Sequence, residues 1–73
     1  MIIDRNSPVP QYFQLQTWLL EQITQGVYKQ GDKIPTEKEF GEITGLARAT
    51  IRQAITNIVN KGYLERKKRL GTF

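Results

Sequence analysis

Glycine and proline interrupt this 73-residue chain so often that only short helices and strands fit between them. Because proline lacks an amide hydrogen and glycine favours turns, most of these residues mark the ends of helices or strands. The interruptions stand at Pro8, Pro10, Gly26, Gly31, Pro35, Gly41, Gly45, Gly62 and Gly71. The chain therefore divides into three helical segments and a strand-forming C-terminus, which together make one small domain.

The first segment predicts a helix from about Pro10 to Gln25, which Gly26 can end in a left-handed conformation. One stripe at helical spacing is expected to face the core and contains Tyr12, Leu15, Leu19 and Ile23. Three apolar residues lie off this stripe, Phe13, Trp18 and Leu20. Two alternatives stay open for them: they pack on the following loop, or they pack on a partner chain.

The second segment predicts a helix that starts at Thr36 and ends at Gly45. The stretch "TEKE" is a capping box, in which the Thr36 hydroxyl accepts from the Glu39 amide and the Glu39 carboxylate reaches back. We expect Phe40 and Ile43 to face inward. Just before this helix, the pair at 33–34 is predicted to form a very short strand that places an isoleucine in the core.

The third segment predicts a helix from Ala47 or Arg48 to Asn60, stopped by Gly62. Its buried stripe is expected to contain Ile51, Ile55, Ile58 and Val59, with Ala47 and Ala54 beside them. A short helix, a tight glycine-containing turn and a second helix with arginines on its outer face are typical of a helix-turn-helix.

The chain closes with "YLERKKRLGTF", in which strand-favouring residues flank the basic run 66–69. This pattern predicts a two-stranded hairpin, or wing, with a cationic tip, and Gly71 would help the turn. The expected fold class is therefore mainly α with a small β-hairpin: a winged helix-turn-helix of three helices and a two-stranded wing.

Charge is distributed unevenly along the chain, whose formal net charge is +4. From residue 48 onward seven basic side chains accompany a single acidic one, Glu65, whereas residues 1–47 carry four basic and six acidic side chains. A cationic block of this kind indicates a polyanionic partner such as nucleic acid. A solvated surface that aids solubility is the alternative for the charge run taken alone.

The residues of the chain exclude several kinds of chemistry. Cysteine and histidine are both absent, which rules out disulfides, zinc sites built from these residues, a thiol nucleophile and an imidazole base. The capping box and a solvated helix face explain the acidic group Glu37, Glu39 and Glu42. We therefore expect no enzyme, no metal and no cofactor. With no apolar run of ~18–20 residues and no signal peptide, a cytoplasmic location is expected.

Two arginines near the start of the third helix break local rules. Arg48 and Arg52 lie four residues apart, where like charges repel by roughly 0.2–0.5 kcal/mol, and cations are unfavourable at a helix start. The pair suits a helix that enters a DNA major groove, where arginine can pair bidentately with guanine. Such pairing is worth roughly 1–3 kcal/mol against a wrong base, which outweighs the cost of the repulsion. Small Ala49 would permit close approach, and Gln53 and Thr56 continue the exposed face. This interpretation fails if both arginines are tucked into carboxylate pairs or point away from the side of the molecule that carries the cationic wing.

Most of the chain, from Pro10 to Phe73, resembles the DNA-binding domain of GntR-type bacterial transcription regulators, most of all their HutC-like subgroup. The resemblance rests on the passage "GVYKQGDKIPTE", the helix "RATIRQA" and the terminal "GTF". It implies a winged helix-turn-helix, a homodimer and an inverted-repeat operator with GT and AC half-site cores. It also implies a C-terminal effector-binding domain that this chain lacks, so residues 1–9 would be an arm and residues 10–73 the DNA-binding domain of a longer protein.

The resemblance also assigns roles to single residues on the second and third helices. Arg48 and Arg52 match base-contacting arginines, and Thr50 matches a DNA-facing hydroxyl position, although the helical wheel places it away from the arginines. Lys38 matches a position, usually arginine, that reaches DNA, and a lysine there is less suited to bidentate contact. Glu37 matches an acid that would cap the helix or orient a neighbouring basic side chain.

At the wing the resemblance implies DNA contacts by Lys68, Arg69 and Gly71. Many relatives have glycine where Arg69 stands, and two outcomes stay open: Arg69 inserts into a narrow A·T-rich minor groove, or the tip is held away from DNA. A second departure is Ala47, since the family prefers a capping serine or threonine there.

The alternative to a repressor-like DNA-binding domain is a winged-helix module for protein or RNA contacts. RNA binding favours exposed aromatic rings for base stacking. Most aromatic residues here occupy core-like or loop positions, with Trp18 as the one candidate exception. A small-molecule effector is expected only in the missing C-terminal domain.

Overall fold

The computed structural model describes residues 3–73 and shows three helices followed by a two-stranded antiparallel sheet. The elements are α1 (Gln11–Thr24), α2 (Glu37–Thr44), α3 (Arg48–Asn60), β1 (Arg66–Lys67) and β2 (Gly71–Thr72). The predicted fold class, three helices and a small hairpin, is confirmed. Within residues 3–73, no helix has the length and apolar character needed to cross a membrane.

The core lies between α1 and α3, which make the most extensive contact between elements, and α2 closes it from one side. Its buried apolar residues are Leu15, Leu19, Ile34, Phe40, Leu46, Ile51, Ala54, Ile55, Ile58 and Leu64. Trp18 packs edge-on against the Phe40 ring, with 6.5 Å between centroids, and Leu20 also packs on this core. Trp18 and Leu20 therefore pack on the core of the domain, which neither of the expected alternatives named, whereas Phe13 is exposed.

Two of the residues predicted to face the core do not. Tyr12 is 36% exposed, because the first turn of α1 borders the outer side of α3. Ile43 is 57% exposed, because Phe40 alone supplies the buried side chain of the short helix α2. Both predictions were wrong for the same reason: apolar spacing identifies one stripe of a helix but does not show how much of that stripe a neighbouring element covers.

The ends of α2 follow the predicted capping chemistry. The Thr36 hydroxyl accepts from the Glu39 amide at 3.1 Å, and a Glu39 carboxylate oxygen accepts from the Thr36 amide at 2.9 Å. At the other end Gly45 has a φ of 73°, a left-handed conformation that glycine adopts without steric cost. The Arg5 side chain also donates to the Thr44 and Gly45 carbonyls, each at 3.4 Å, so the N-terminal arm contacts the turn between α2 and α3.

The first strand of the hairpin lies later in the chain than predicted and includes part of the basic run. Arg66 pairs with Thr72 and Lys67 with Gly71, so the first half of the basic run lies in a strand and only residues 68–70 form the tip. The expected short strand at 33–34 is absent from the sheet of the described chain. Its isoleucine is nevertheless buried as predicted, and the Ile34 amide donates to the Thr72 carbonyl at 2.9 Å.

Candidate nucleic-acid interface

The outer face of α3 is exposed along its N-terminal half. The opposite face packs into the core, which forces the side chains between the buried positions outward. Arg48 and Arg52 keep 66% and 60% of their side-chain surface accessible, and Ala49 and Gln53 are exposed beside them. The helix has no side-chain cap, since Ala47 stands at its N-cap position. This ridge is the first part of the candidate interface.

Glu37, the first residue of α2, lies beside both arginines. Its two carboxylate oxygens accept from Arg52 Nη2 at 3.1 Å and from Arg52 Nε at 3.3 Å, and Arg48 Nε lies 4.0 Å away. These hydrogen bonds raise the pKa of Arg52 above its ordinary value, with a further contribution from the Glu37 charge. The carboxylate therefore offsets the Arg–Arg repulsion expected from the sequence and orients Arg52.

The ion pair leaves both arginines accessible to a ligand. A guanidinium group has five N–H donors, and Glu37 uses only two of those of Arg52. The outward edge, formed by Nη1 and the second hydrogen on Nη2, stays available for a planar acceptor pair. Both arginines do have a carboxylate partner in Glu37, which is one of the conditions stated against the interpretation, but 66% and 60% of their side-chain surface stays accessible. Their role in contacting bases stays a prediction.

The opposite side of the ridge borders a shallow, open groove between α3 and the first turn of α1. Thr50 lies in this groove, on the side away from Arg52, as the helical wheel indicates. The groove is lined by Tyr12, Ala49, Thr50, Gln53 and Asn57. Tyr12 was not predicted to take part in binding, because it lies at helical spacing with the apolar residues of α1 and was expected to face the core.

Lys38 and the wing tip supply further exposed cations. Lys38 is exposed in the first turn of α2, next to Glu37. Lys68 and Arg69 are exposed in the turn of the hairpin, where Arg69 has a φ of 67°. The left-handed region favours glycine, so this φ explains why a glycine would suit the position better than arginine.

The backbone conformation of Gly71 favours glycine inside the domain. Its φ of 123° lies outside the range that side chains tolerate, and the Lys33 stem covers it closely. A Cβ built at Gly71 would lie 2.7 Å from Lys33 Cε. The glycine assigned to DNA contact by resemblance therefore also has a structural role, because side chains rarely adopt its backbone conformation.

Arg66 joins the wing to α3, a contact that sequence reasoning missed. Its Nη1 donates to Thr56 Oγ1 at 2.9 Å, and its Nη2 lies 3.5 Å from the Arg52 carbonyl oxygen. The neighbouring Lys67 instead lies over the Phe73 ring, 5.0 Å from its centroid. The four residues of the basic run thus have different surroundings, which their shared charge could not reveal.

The comparisons with known proteins agree with this geometry. The family described as "Bacterial regulatory proteins, gntR family" matches residues 11–73. This chain belongs to the GntR family. Its structure resembles the GntR-family fold seen in "Crystal Structure of AraR(DBD) in complex with operator ORX1", with a TM-score of 0.90, 35% identity and coverage of 100% of this chain and 90% of that one. The predicted winged helix-turn-helix is thereby confirmed.

Curated GntR-family relatives are similar over almost the whole chain. The HTH-type transcriptional repressor NagR of Bacillus subtilis is 42% identical over 73 residues, and the histidine utilization repressor of Klebsiella aerogenes is 35% identical over 69 residues. The second relative supports the HutC-like assignment. These matches cover 100% and 94% of this chain but 30% and 29% of the relatives, so the chain spans less than a third of their length.

Proposed function

We propose that this chain is the operator-reading domain of a bacterial transcription regulator, a repressor, and that it binds double-stranded DNA sequence-specifically. The observation that carries the proposal is the exposed pair Arg48 and Arg52, positioned beside Glu37 on the second helix of a helix-turn-helix. In this proposal α3 enters the major groove and the basic wing, residues 66–71, lies at the minor groove. The similar AraR domain, whose crystal structure is of a complex with an operator, supports it.

Each proposed contact follows from the chemistry of its side chain. The free edges of Arg48 and Arg52 match the O6 and N7 acceptors of guanine. Ala49 lets the helix approach the base edges closely, and Thr50 presents a hydroxyl from the groove side of α3. Lys38 reaches the DNA from α2 as a point charge, without the planar fork of arginine.

The wing contributes the remaining proposed contacts through Lys68, Arg69 and Gly71. Phosphate neutralisation by these cations predicts strong salt dependence, with a slope near −0.9 for each phosphate contacted. Trp18, the aromatic residue considered for RNA base stacking, is partly buried against Phe40. Because Tyr12, Phe13 and Tyr63 are exposed, an RNA partner stays the alternative to DNA.

Fluorescence anisotropy on an inverted repeat with GT and AC half-site cores, beside a shuffled duplex, tests the proposal. We expect Arg48→Ala and Arg52→Ala to remove the preference for the repeat more than they reduce affinity for shuffled DNA. Lys68→Ala is the matched control, since it removes one exposed charge and should weaken both duplexes alike. Equal losses on both duplexes for the arginine variants would contradict the assigned role, and tight protein binding with weak duplex binding would favour the alternative module.

The longer protein is proposed to be a homodimer that binds both halves of an inverted repeat. That longer protein would contain an arm at residues 1–9, this domain at residues 10–73 and an effector-binding domain outside this chain. A single domain loses the linked second half-site, so we expect weak, monomeric binding from this chain alone. Sedimentation of the chain with one-site and two-site duplexes tests this, and cooperative pairing on the two-site duplex would contradict it. We propose a binding role without catalysis, in the cytoplasm where bacterial DNA lies.

A further inference from the structure

Three side-chain amides form a hydrogen-bonded chain that runs from the core to the outer face of α3. Gln53 Nε2 donates to Asn57 Oδ1 at 2.8 Å, and Asn57 Nδ2 donates to Gln16 Oε1 at 2.8 Å. Gln16 is a buried residue of α1 with 5% of its surface exposed, Asn57 is half-buried, and Gln53 is exposed. The hydrogen-bonded chain therefore connects a buried amide in the interior to an accessible one.

This arrangement orients the exposed amide. A glutamine side chain has two N–H donors and one carbonyl acceptor, and at the surface it ordinarily rotates freely. Here one donor of Gln53 is used by Asn57, whose own amide is oriented by Gln16. The Oε1 acceptor and one Nε2 hydrogen of Gln53 have no protein partner in the described part of the chain, so one acceptor and one donor of this amide remain unused.

The position of Gln53 makes this pair accessible to a duplex. Gln53 lies one helical turn after Ala49 and next to Arg52, so it shares the ridge on which the arginines lie. It also lines the groove beside Tyr12 and Thr50. The small side chain of Ala49 leaves space beside it for a base edge.

We propose that Gln53 reads an adenine in the major groove, and that Asn57 and Gln16 are positioning residues for its amide. Adenine presents an N6 donor and an N7 acceptor, the complement of the free Oε1 and Nε2 hydrogen of Gln53. The inference rests on the proposed DNA-binding function and adds a specificity residue on the groove side of the arginines. The amide chain lowers the entropy lost on binding, because Gln53 is oriented before the DNA arrives.

Affinities for a set of duplexes test the proposal. The preferred duplex is first selected from a random pool with the wild-type chain, and each base pair is then changed singly. We expect Gln53→Ala to remove discrimination at one A·T pair, by about 5- to 150-fold, and to leave the other positions unchanged. Gln53→Glu is expected to move the preference at that pair to cytosine, because a carboxylate only accepts hydrogen bonds.

The positioning role has its own variants. Asn57→Ala should reduce discrimination at the same base pair while the affinity for shuffled duplex is unchanged, which a merely structural role would not produce. Asn60→Ala, an exposed asparagine at the end of α3, is the matched control and should change nothing. Thermal unfolding checks that Asn57→Ala folds, and the Gln53 variants decide the matter if it does not.

These experiments distinguish failure of the Gln53 assignment from failure of the proposed DNA-binding function. A wild-type chain that discriminates no duplex contradicts both. A wild-type chain with clear preferences whose profile is unchanged, or uniformly weakened, in Gln53→Ala contradicts only the assignment of Gln53. Loss of discrimination at a G·C pair instead of an A·T pair would likewise overturn the adenine assignment.

Discussion

The Glu37 carboxylate holds the Arg52 guanidinium through two hydrogen bonds, 3.1 and 3.3 Å long, across the turn between α2 and α3. The pair joins the first residue of one helix to a side chain on the outer face of the next. A two-point contact restrains a planar group more than a single contact does. The acid at the N-terminus of α2 is therefore a support for the arginine, as well as a favourable charge at the helix start.

Glu37→Gln is expected to lower sequence discrimination and to raise affinity for shuffled DNA. Arg52 loses its orienting partner, and the interface loses a negative charge near the phosphates. Anisotropy titrations on selected and shuffled duplexes give the ratio of the two affinities. The control is Glu42→Gln, which removes an exposed acid from the same helix and should raise both affinities without changing their ratio. An unchanged ratio in Glu37→Gln would show that Arg52 needs no support.

Ala47→Ser is expected to stabilise the domain. Ala47 has the extended backbone of an N-cap residue, with a φ of −65° and a ψ of 148°, but its side chain makes no cap hydrogen bond. A serine hydroxyl at an N-cap is worth ~0.5–2 kcal/mol, and each kcal/mol raises the Tm of a domain this small by about 4–8 °C. Thermal unfolding measures the shift, with Ala49→Ser as an exposed control inside the helix. An unchanged or lower Tm would contradict the capping explanation.

The Glu39 carboxylate makes the stability of the capping box depend on pH. Hydrogen bonds from the Thr36 amide and side chain lower the pKa of Glu39 from its ordinary value of 4.5. Because the folded state favours the charged form, this contribution is complete above pH 4.5 and is lost as the pH falls through the lowered pKa. The Tm difference between wild type and Glu39→Gln should therefore shrink on acidification from pH 7, and a difference that stays constant to pH 3 would refute the linkage.

Arg69→Gly is expected to stabilise the wing relative to Arg69→Ala. Both variants remove the same charge, but only glycine adopts a φ of 67° without steric cost. After allowing for the greater freedom of glycine in the unfolded chain, the difference should be about 0.5–1 kcal/mol in favour of glycine. Chemical denaturation of the two variants measures it. Equal stabilities would mean that the backbone of the tip relaxes when the arginine is removed.

Local spacing was sufficient to predict the helices, both ends of α2 and the fold class. The capping box at Thr36 and Glu39 needs only residues three apart, and the buried stripe of α3 needs only helical periodicity. The exposed arginines were predicted in the same way, since residues four apart project from one side of a helix. Each of these features depends only on residues that lie close together in the sequence, within a single helix or strand.

The missed features depend on which elements meet. Gln16 and Asn57 are 41 residues apart, and nothing in their local sequence indicates that their amides bond. The contact between Arg66 and Thr56 depends on how the hairpin folds back over α3, which the run of four basic residues does not specify. Tyr12 was misplaced for the same reason, because its neighbour across the groove belongs to another helix. Tertiary contacts of this kind follow from packing and have no local signature.

The hydrogen bond from the Ile34 amide to the Thr72 carbonyl connects the wing to the loop that precedes α2. Ile34 is separated from Thr36, the N-cap of α2, by Pro35 alone, whose ring restricts the backbone. A displacement of β2 would therefore act on the start of α2 through this bond, and on the segment after α3 through the paired backbones of Glu65 and Phe73. The wing and the first helix of the helix-turn-helix are thus connected by a backbone hydrogen bond as well as by the chain through α3.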